Sequence, residues 1–253
     1  MGIIKKYYDN ILFFQFEQFN NKNVRHLFTS KVGWENNEFD KLAKLFNVPK
    51  SNILCLTQVH GTDILIVDES IINNIGDFPI EGDGLVTNIP NLVLTTYHAD
   101  CVPLYFYDYD KKVIGLAHAG WKGTYKNIGG KMIHLMNNRY GSNIDNILVG
   151  IGPSIGPCCY EIGRDLAHQF TNKYENYNHI IIERDNKVYL DLWKVNYLQI
   201  RDKGVKDRNI IVTKICTSCH NDKFYSYRKE KGTKHRMIAA IGLISNLEGK
   251  DEH

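Results

Sequence analysis

The chain has 253 residues, 43% hydrophobic and 23% charged, the balance of a globular protein with an enzyme-sized core. Its formal charge of +3 comes from 31 basic and 28 acidic residues that are interspersed, so no nucleic-acid footprint is visible and clusters such as Arg228-Lys229-Glu230-Lys231 read as solvated surface. No run of about 18 apolar residues is present to cross a membrane.

In chain order, the first segment has Lys5 and Lys6, but Asp9, Asn10 and Glu17 interrupt the apolar residues after them and no small-residue cleavage site follows. This is not the pattern of a signal peptide, and Lys6 stands where myristoylation needs Ser or Thr. A cytoplasmic protein is expected. Short runs rich in β-branched and aromatic residues predict strands over 52–56, 64–67, 92–96, 102–107 and 113–117. A helix is expected over about 125–138, where Ile128, Met132, Leu135 and Met136 share one face. Further strands are expected over 146–151, 180–183, 188–190 and 210–215, with helices near 164–170 and 193–202. Many neighbouring strands are too close in sequence for helical crossovers, which predicts a mixed α/β fold of α+β type with a largely antiparallel or mixed sheet. No linker composition or internal repeat divides the chain, so one domain over 1–253 is expected. Met132, Met136 and the aromatic run Tyr105-Phe106-Tyr107 fit core packing better than a cofactor box.

The six cysteines read as thiols or metal ligands rather than disulfides. Cys158 and Cys159 are adjacent and read as structural. Cys216-Thr217-Ser218-Cys219-His220 matches a haem-attachment pattern, a redox pair or half a zinc knuckle, yet no second Cys-x-x-Cys completes a zinc set. The segment is expected to carry neither haem nor a required metal.

The most informative stretch runs from Tyr97-His98-Ala99-Asp100-Cys101 through two apolar runs to His118. The midpoint between Cys101 and His118 falls in the polar segment 108–112, between Tyr109 and Asp110, so a hairpin folded there places the two residues opposite each other. Directly paired residues lie about 4.5–5.5 Å apart at Cα, close enough to share one Zn²⁺. His60, in Gln58-Val59-His60-Gly61, is the candidate third ligand, although spacing alone leaves open an ordinary hydrogen-bonded histidine. Two His and one Cys would leave a fourth position open, as catalytic zinc sites do. In an extended segment His98 and Cys101 point to opposite faces, which assigns His98 a supporting role. Asp100 is the acid/base or supporting candidate. The segment 118–124 passes from strand end to helix start and carries Lys122, a setting for phosphate or another anion, although no Walker loop is present. Gly150-Ile-Gly-Pro-Ser-Ile-Gly156 reads equally as a tight turn or as a ligand contact.

Gln58-Val-His60-Gly, Asp83-Gly84, His98-Ala-Asp100-Cys101-Val-Pro, Ala-His118-Ala-Gly-Trp-Lys-Gly-Thr, Gly-Pro-Ser-Ile-Gly-Pro-Cys-Cys-Tyr-Glu161, Asp191-Leu-Trp and Phe224-Tyr-Ser-Tyr-Arg228 occur in this order over about residues 25 to 240. This series resembles the multicopper-polyphenol-oxidase or laccase-domain family. The resemblance implies that His60, Cys101 and His118 bind zinc. It also implies an α/β sandwich similar to toxin-type deamidases, and phosphorolysis of adenosine, inosine and methylthioadenosine with accompanying adenosine deamination. Lys31, Gln58, Lys122 and Arg228 are the candidate contacts to nucleoside and phosphate. Two positions depart from the family pattern: Lys31 replaces an Arg, which loses bidentate anion binding, and Lys234-His235 precede Arg236-Met237 where a Gly is usual.

The competing readings are a copper oxidase and a cysteine hydrolase. The first meets the difficulty that none of the ten histidines forms a His-x-His pair, which makes copper adventitious. The second would use Cys101 as nucleophile and His118 as base, and metal content separates it from the zinc reading.

Overall fold

The structure is a computed structural model that describes residues 2–19, 23–73 and 80–244; the remainder of the domain expected over 1–253 lies outside the described residues. The chain opens with β1 (Ile3–Tyr8), β2 (Ile11–Phe16) and β3 (Val24–Thr29), followed by α1 (Glu38–Phe46) and β4 (Ile53–Cys55). Next come β5 (Ile64–Ile66), α2 (Glu69–Asn73), β6 (Gly84–Thr87), β7 (Val93–His98), β8 (Val102–Asp108) and β9 (Val113–Ala119). After α3 (Trp121–Tyr125) and α4 (Ile128–Tyr140) lie β10 (Ile147–Ile151), β11 (Glu161–Ile162) and α5 (Arg164–Lys173). The chain continues with β12 (Ile181–Arg184), β13 (Lys187–Leu190), α6 (Leu192–Asp202), β14 (Ile210–Val212) and β15 (Met237–Leu243).

Two six-stranded sheets result, ordered β1-β2-β3-β15-β7-β4 and β14-β10-β8-β9-β6-β5, with a small sheet β11-β13-β12 beside them. Most pairs are antiparallel; β4–β7, β5–β6 and β10–β14 are parallel, so both large sheets are mixed, as strand spacing predicts. Side-chain alternation divides the interior into layers. Tyr105, Tyr107, Ile114 and Leu116 of the second sheet meet Phe14, Phe28, Leu94, Met237, Ala239 and Ile241 of the first. The alternate residues Val102, Leu104 and Phe106 pack with Met132, Met136, Val195 and Ile200 of α4 and α6. On the outer face of the first sheet, Phe13, Leu27, Ile238 and Ala240 receive Leu42 and Phe46 of α1. Burial of each such side chain contributes about 1.5–3 kcal/mol, and the result is a helix, sheet, sheet, helix stack.

The helix expected over 125–138 begins later, because Asn127 in the left-handed region caps it by accepting the N–H of Gly130 at 2.8 Å, and Gly141 at φ 65° ends it. Strands β1, β2, β3, β6 and β15 and helix α1 go beyond the elements expected from sequence. The hairpin register also differs. Asp108 Oδ1 accepts the N–H groups of Asp110 and Lys111 at 2.9 and 3.1 Å, and Asp108 pairs with Val113, so the turn centres one residue later than expected. His118 therefore stands opposite Pro103, and Cys101 lies just before β8 rather than across from His118.

Candidate metal centre and adjoining cleft

Three chain segments meet at one end of the second sheet. His118 is near the end of β9, His60 is in the loop between β4 and β5, and Cys101 follows the turn by which the chain passes from β7 in one sheet to β8 in the other. The shifted register leaves Cys101 two residues from the partner of His118, on the same side as Pro103 and within diagonal reach. The ligand atoms of His60, Cys101 and His118 all lie within 4.8 Å of one another, and the two imidazoles meet edge-on with ring centres 4.8 Å apart.

Both turns that carry candidate ligands use the left-handed backbone region, with φ 57° at His60 and 85° at Asp100. Non-glycine residues persist there when the surroundings over-determine them. At His60 the determinant is Asp83, which is fully buried. Its carboxylate accepts the backbone N–H groups of Val59 (3.2 Å), His60 (3.1 Å) and Gly61 (2.6 Å), and Nδ1 of His118 lies 2.8 Å from Oδ1. With Nδ1–H donating to a carboxylate, Nε2 of His118 is the nitrogen a metal would take, in exchange for the second ring proton. At Asp100 the carboxylate accepts from Thr217 Oγ1 (2.6 Å), Ser226 Oγ (3.1 Å) and the backbone N–H of Arg228 (2.7 Å). A carboxylate engaged by three donors braces the wall of the cleft and positions Arg228, a role different from that of a free acid or base. The turn at Asp100 also brings His98 behind Cys101: Nδ1 lies 3.0 Å from the Cys101 carbonyl and Nε2 lies 2.8 Å from Thr96 Oγ1. Burial, reinforced by the charge on His118, drives the His98 pKa well down, so this ring is neutral and supports the ligand loop.

Two of the three candidate ligands, Cys101 and His118, form an electrostatic pair. Burial pushes the Cys101 thiol up, but the charge and hydrogen bond of His118, with those of His60, more than reverse this and leave it at about 6. Burial pushes His118 down, but the Cys101 thiolate and Asp83 overcome it and raise the imidazole to about 9. Burial likewise opposes ionisation of Asp83, yet His118 and the loop amides hold its pKa below the usual value. Gly120 closes the back of the centre: a Cβ there would lie 3.1 Å from Cys101 Sγ, 3.2 Å from His60 Cδ2 and 3.8 Å from His118 Cε1. The donor set of one thiolate and two imidazoles, with a carboxylate behind one ring, fits Zn²⁺ with an open fourth position.

The centre faces a cleft of about 740 Å³ whose walls include Leu56, Tyr97, Trp121, Ile155, Tyr160 and Tyr227. Arg228 and Arg236 line it as cations. Arg228 Nη1 donates to the Glu161 carbonyl at 2.7 Å and its guanidinium carbon lies 5.2 Å from the Tyr160 ring centre. His235 stacks on Tyr225, with ring centres 5.1 Å apart. A neighbouring cleft of about 530 Å³, walled by Trp34, Tyr225 and His235, shares Tyr97 and Arg236 with the first.

Of the residues singled out from sequence, His60, Cys101, His118, Asp100, Gln58 and Arg228 all line this cleft. Lys31 and Lys122 do not. Lys31 is placed by its backbone bond to Lys223 O, and Lys122 is exposed with Nζ 5.7 Å from the Trp121 ring centre. Gln58 lines the cleft with its amide committed to the Tyr97 backbone, donating to O at 3.0 Å and accepting from N at 2.6 Å. It latches the His60 loop to β7. Asp83 and Arg236 carry parts that spacing did not assign. The Asp83-Gly84 motif was the signal for the first, and the Arg-Met dipeptide at 236–237 for the second. The sequence offers no second Cys-x-x-Cys, but the structure supplies the missing pair: Cys158 and Cys159 meet Cys216 and Cys219.

Among the described residues no helix is long and apolar enough to cross a membrane. The family model for multi-copper polyphenol oxidoreductase laccase matches residues 31–244. Purine nucleoside phosphorylase YlmD of Geobacillus stearothermophilus is 37% identical over 208 residues, covering 80% of this chain and 76% of that protein. Purine nucleoside phosphorylase LACC1 of Homo sapiens is 34% identical over 219 residues, covering 83% of this chain and 47% of the human one. The crystal structure of YlmD from Geobacillus stearothermophilus superposes with a TM-score of 0.84 at 30% identity, covering 97% of this chain and all of the other. YlmD and LACC1 carry the name purine nucleoside phosphorylase, and the chain belongs with them to the multi-copper polyphenol oxidoreductase laccase family.

Proposed function

We propose that this protein is a zinc-dependent purine nucleoside phosphorylase acting on adenosine, inosine and methylthioadenosine, with adenosine deamination as a second activity. The observation that carries the proposal is the convergence of His60, Cys101 and His118 on a cleft that combines aromatic walls with two arginines. Planar side chains at Tyr97, Trp121, Tyr160 and Tyr227 offer faces for a purine ring. Arg228 and Arg236 offer the charge that a phosphate dianion needs beside the sugar. Asp100 fixes the Arg228 backbone, and Gln58 fixes the His60 loop. Asp83 orients the His118 ring through Nδ1, so that Nε2 is the nitrogen turned to the metal position. A zinc ion bound by the three ligands supplies Lewis-acid chemistry at its open position. In phosphorolysis a phosphate oxygen takes C1′ of the ribose as the purine leaves, so product formation depends on phosphate. The test is inosine turnover: hypoxanthine release that rises with phosphate and is lost in His60→Ala supports the reading, and release independent of phosphate contradicts it.

A second reading has its own support. Cys101, His118 and Asp83 also form the thiolate, imidazolium and carboxylate sequence of a cysteine hydrolase. The presence of His60 beside the thiolate favours metal binding, because a hydrolase of that type has no use for a second imidazole there. Copper is the competing ion, since a Cys-His₂ set accepts it as well. We infer a cytoplasmic location from the same nucleoside chemistry and the reduced thiols.

A further inference from the structure

Four thiols outside the nucleoside chemistry meet on two adjacent loops. Cys158 and Cys159 lie in the turn after Gly156, whose carbonyl accepts the N–H groups of Cys159 and Tyr160, both at 2.9 Å. Cys216 and Cys219 lie in a turn closed by His220 N–H on the Cys216 carbonyl at 3.0 Å. A parallel bridge between Ser154 and Cys216 sets the loops in register, with Ser154 N–H on Ile215 O at 3.2 Å and Thr217 N–H on Ser154 O at 3.0 Å.

The four sulfurs all lie within 4.8 Å of one another. Cys219 Sγ is 3.5 Å from Cys158 Sγ and 3.4 Å from Cys159 Sγ, and all four thiols are free. A disulfide would draw two sulfurs to about 2.05 Å and leave the others aside. Four sulfurs at about 2.3 Å from one ion instead stand about 3.8 Å apart along each tetrahedral edge, the scale seen here. Cys216 Sγ also accepts the Gly156 N–H at 3.2 Å, a bond that stabilises negative charge on sulfur. Four thiolates in a tetrahedron select Zn²⁺ and close its coordination, which makes the ion structural.

We infer that Cys158, Cys159, Cys216 and Cys219 hold a second, structural Zn²⁺, separate from the centre in the cleft. Its place in the fold gives it a purpose. Tyr160, directly after Cys159, walls the cleft. Thr217, inside the Cys216–Cys219 turn, donates to Asp100 at 2.6 Å, and Asp100 in turn holds the Arg228 N–H. The ion ties together the two loops that carry these contacts.

The test is elemental analysis with zinc-edge X-ray absorption on the full chain purified without chelators, as wild type, Cys101→Ala and Cys219→Ser. Cys101→Ala, which disables the cleft centre, should keep about one zinc with a shell of four sulfurs at about 2.3 Å. Cys219→Ser should lose that all-sulfur shell; if it does not fold, the Cys101→Ala sample decides alone. A wild-type protein with a single, all-sulfur zinc that Cys101→Ala leaves unchanged would support this site while counting against the cleft centre. Cys101→Ala protein without zinc, nitrogen in its zinc shell, or disulfides joining the two loops in non-reducing peptide maps would overturn the inference.

Discussion

Asp83 Oδ1 lies 2.8 Å from His118 Nδ1, and the same oxygen receives the His60 backbone N–H at 3.1 Å, so one buried carboxylate sets the ring of one candidate ligand and the backbone of another. Replacing it by Asn keeps the volume and removes the charge. Zinc affinity of Asp83→Asn should fall about 10- to 100-fold, the usual effect of losing such a partner. Competition with a chelator measures it, with circular dichroism as the check on folding. Wild-type affinity in a folded variant would mean that Asp83 does not tune metal binding.

The arginines lining the cleft and the lysines outside it predict different responses to phosphate. A lost charge-assisted hydrogen bond costs about 1.5–3 kcal/mol, or roughly ten- to a hundred-fold. Arg228→Ala and Arg236→Ala should each raise the phosphate KM by that order, whereas Lys122→Ala and Lys31→Ala should change it by less than about threefold. Initial rates over a phosphate titration decide. A large effect confined to Lys122 would move the anion to the start of α3.

The displaced ionisation of the ligands fixes the proton balance of metal uptake. His118, raised to about 9, still holds its proton at neutral pH, whereas Cys101, lowered to about 6, has already lost its own. The metal must displace the His118 proton, so affinity for apoprotein should rise up to about tenfold per pH unit between about pH 7 and 9 and then level off. Calorimetry in buffers of different ionisation heat should show about one proton released by this pair near pH 7.5. Affinity that does not change over that interval would mean that His118 is neutral before the metal arrives.

What could be read in the sequence follows from how local each signal is. β8 and β9 announce themselves as apolar runs on either side of a polar turn, and α4 as a helical stripe. β15 does not: all seven of its residues are buried, so polar alternation is absent, and Ala239, Ala240 and Gly242 dilute its β-forming character. A hairpin folded at the midpoint brings Cys101 and His118 together only through an approximate register. The midpoint of the polar segment is not the turn, because the Asp108 side chain decides where the turn forms. The role of Asp83 rests on backbone amides 22 to 24 positions away, which no spacing rule reaches. The four-cysteine group escaped for the same reason: a bridge between Ser154 and Cys216 joins an adjacent pair to a Cys-x-x-Cys pair about 60 positions on.

The most direct measurement is product analysis with adenosine, using protein loaded with zinc, loaded with copper or stripped of metal, each with and without phosphate. Adenine and ribose 1-phosphate should form only with zinc and phosphate together, inosine should form more slowly with zinc and without need of phosphate, and both should be lost in Cys101→Ala. Phosphate-dependent adenine release by metal-free protein, or no nucleoside turnover by protein whose cleft centre is fully loaded with zinc, would contradict the zinc-dependent reading.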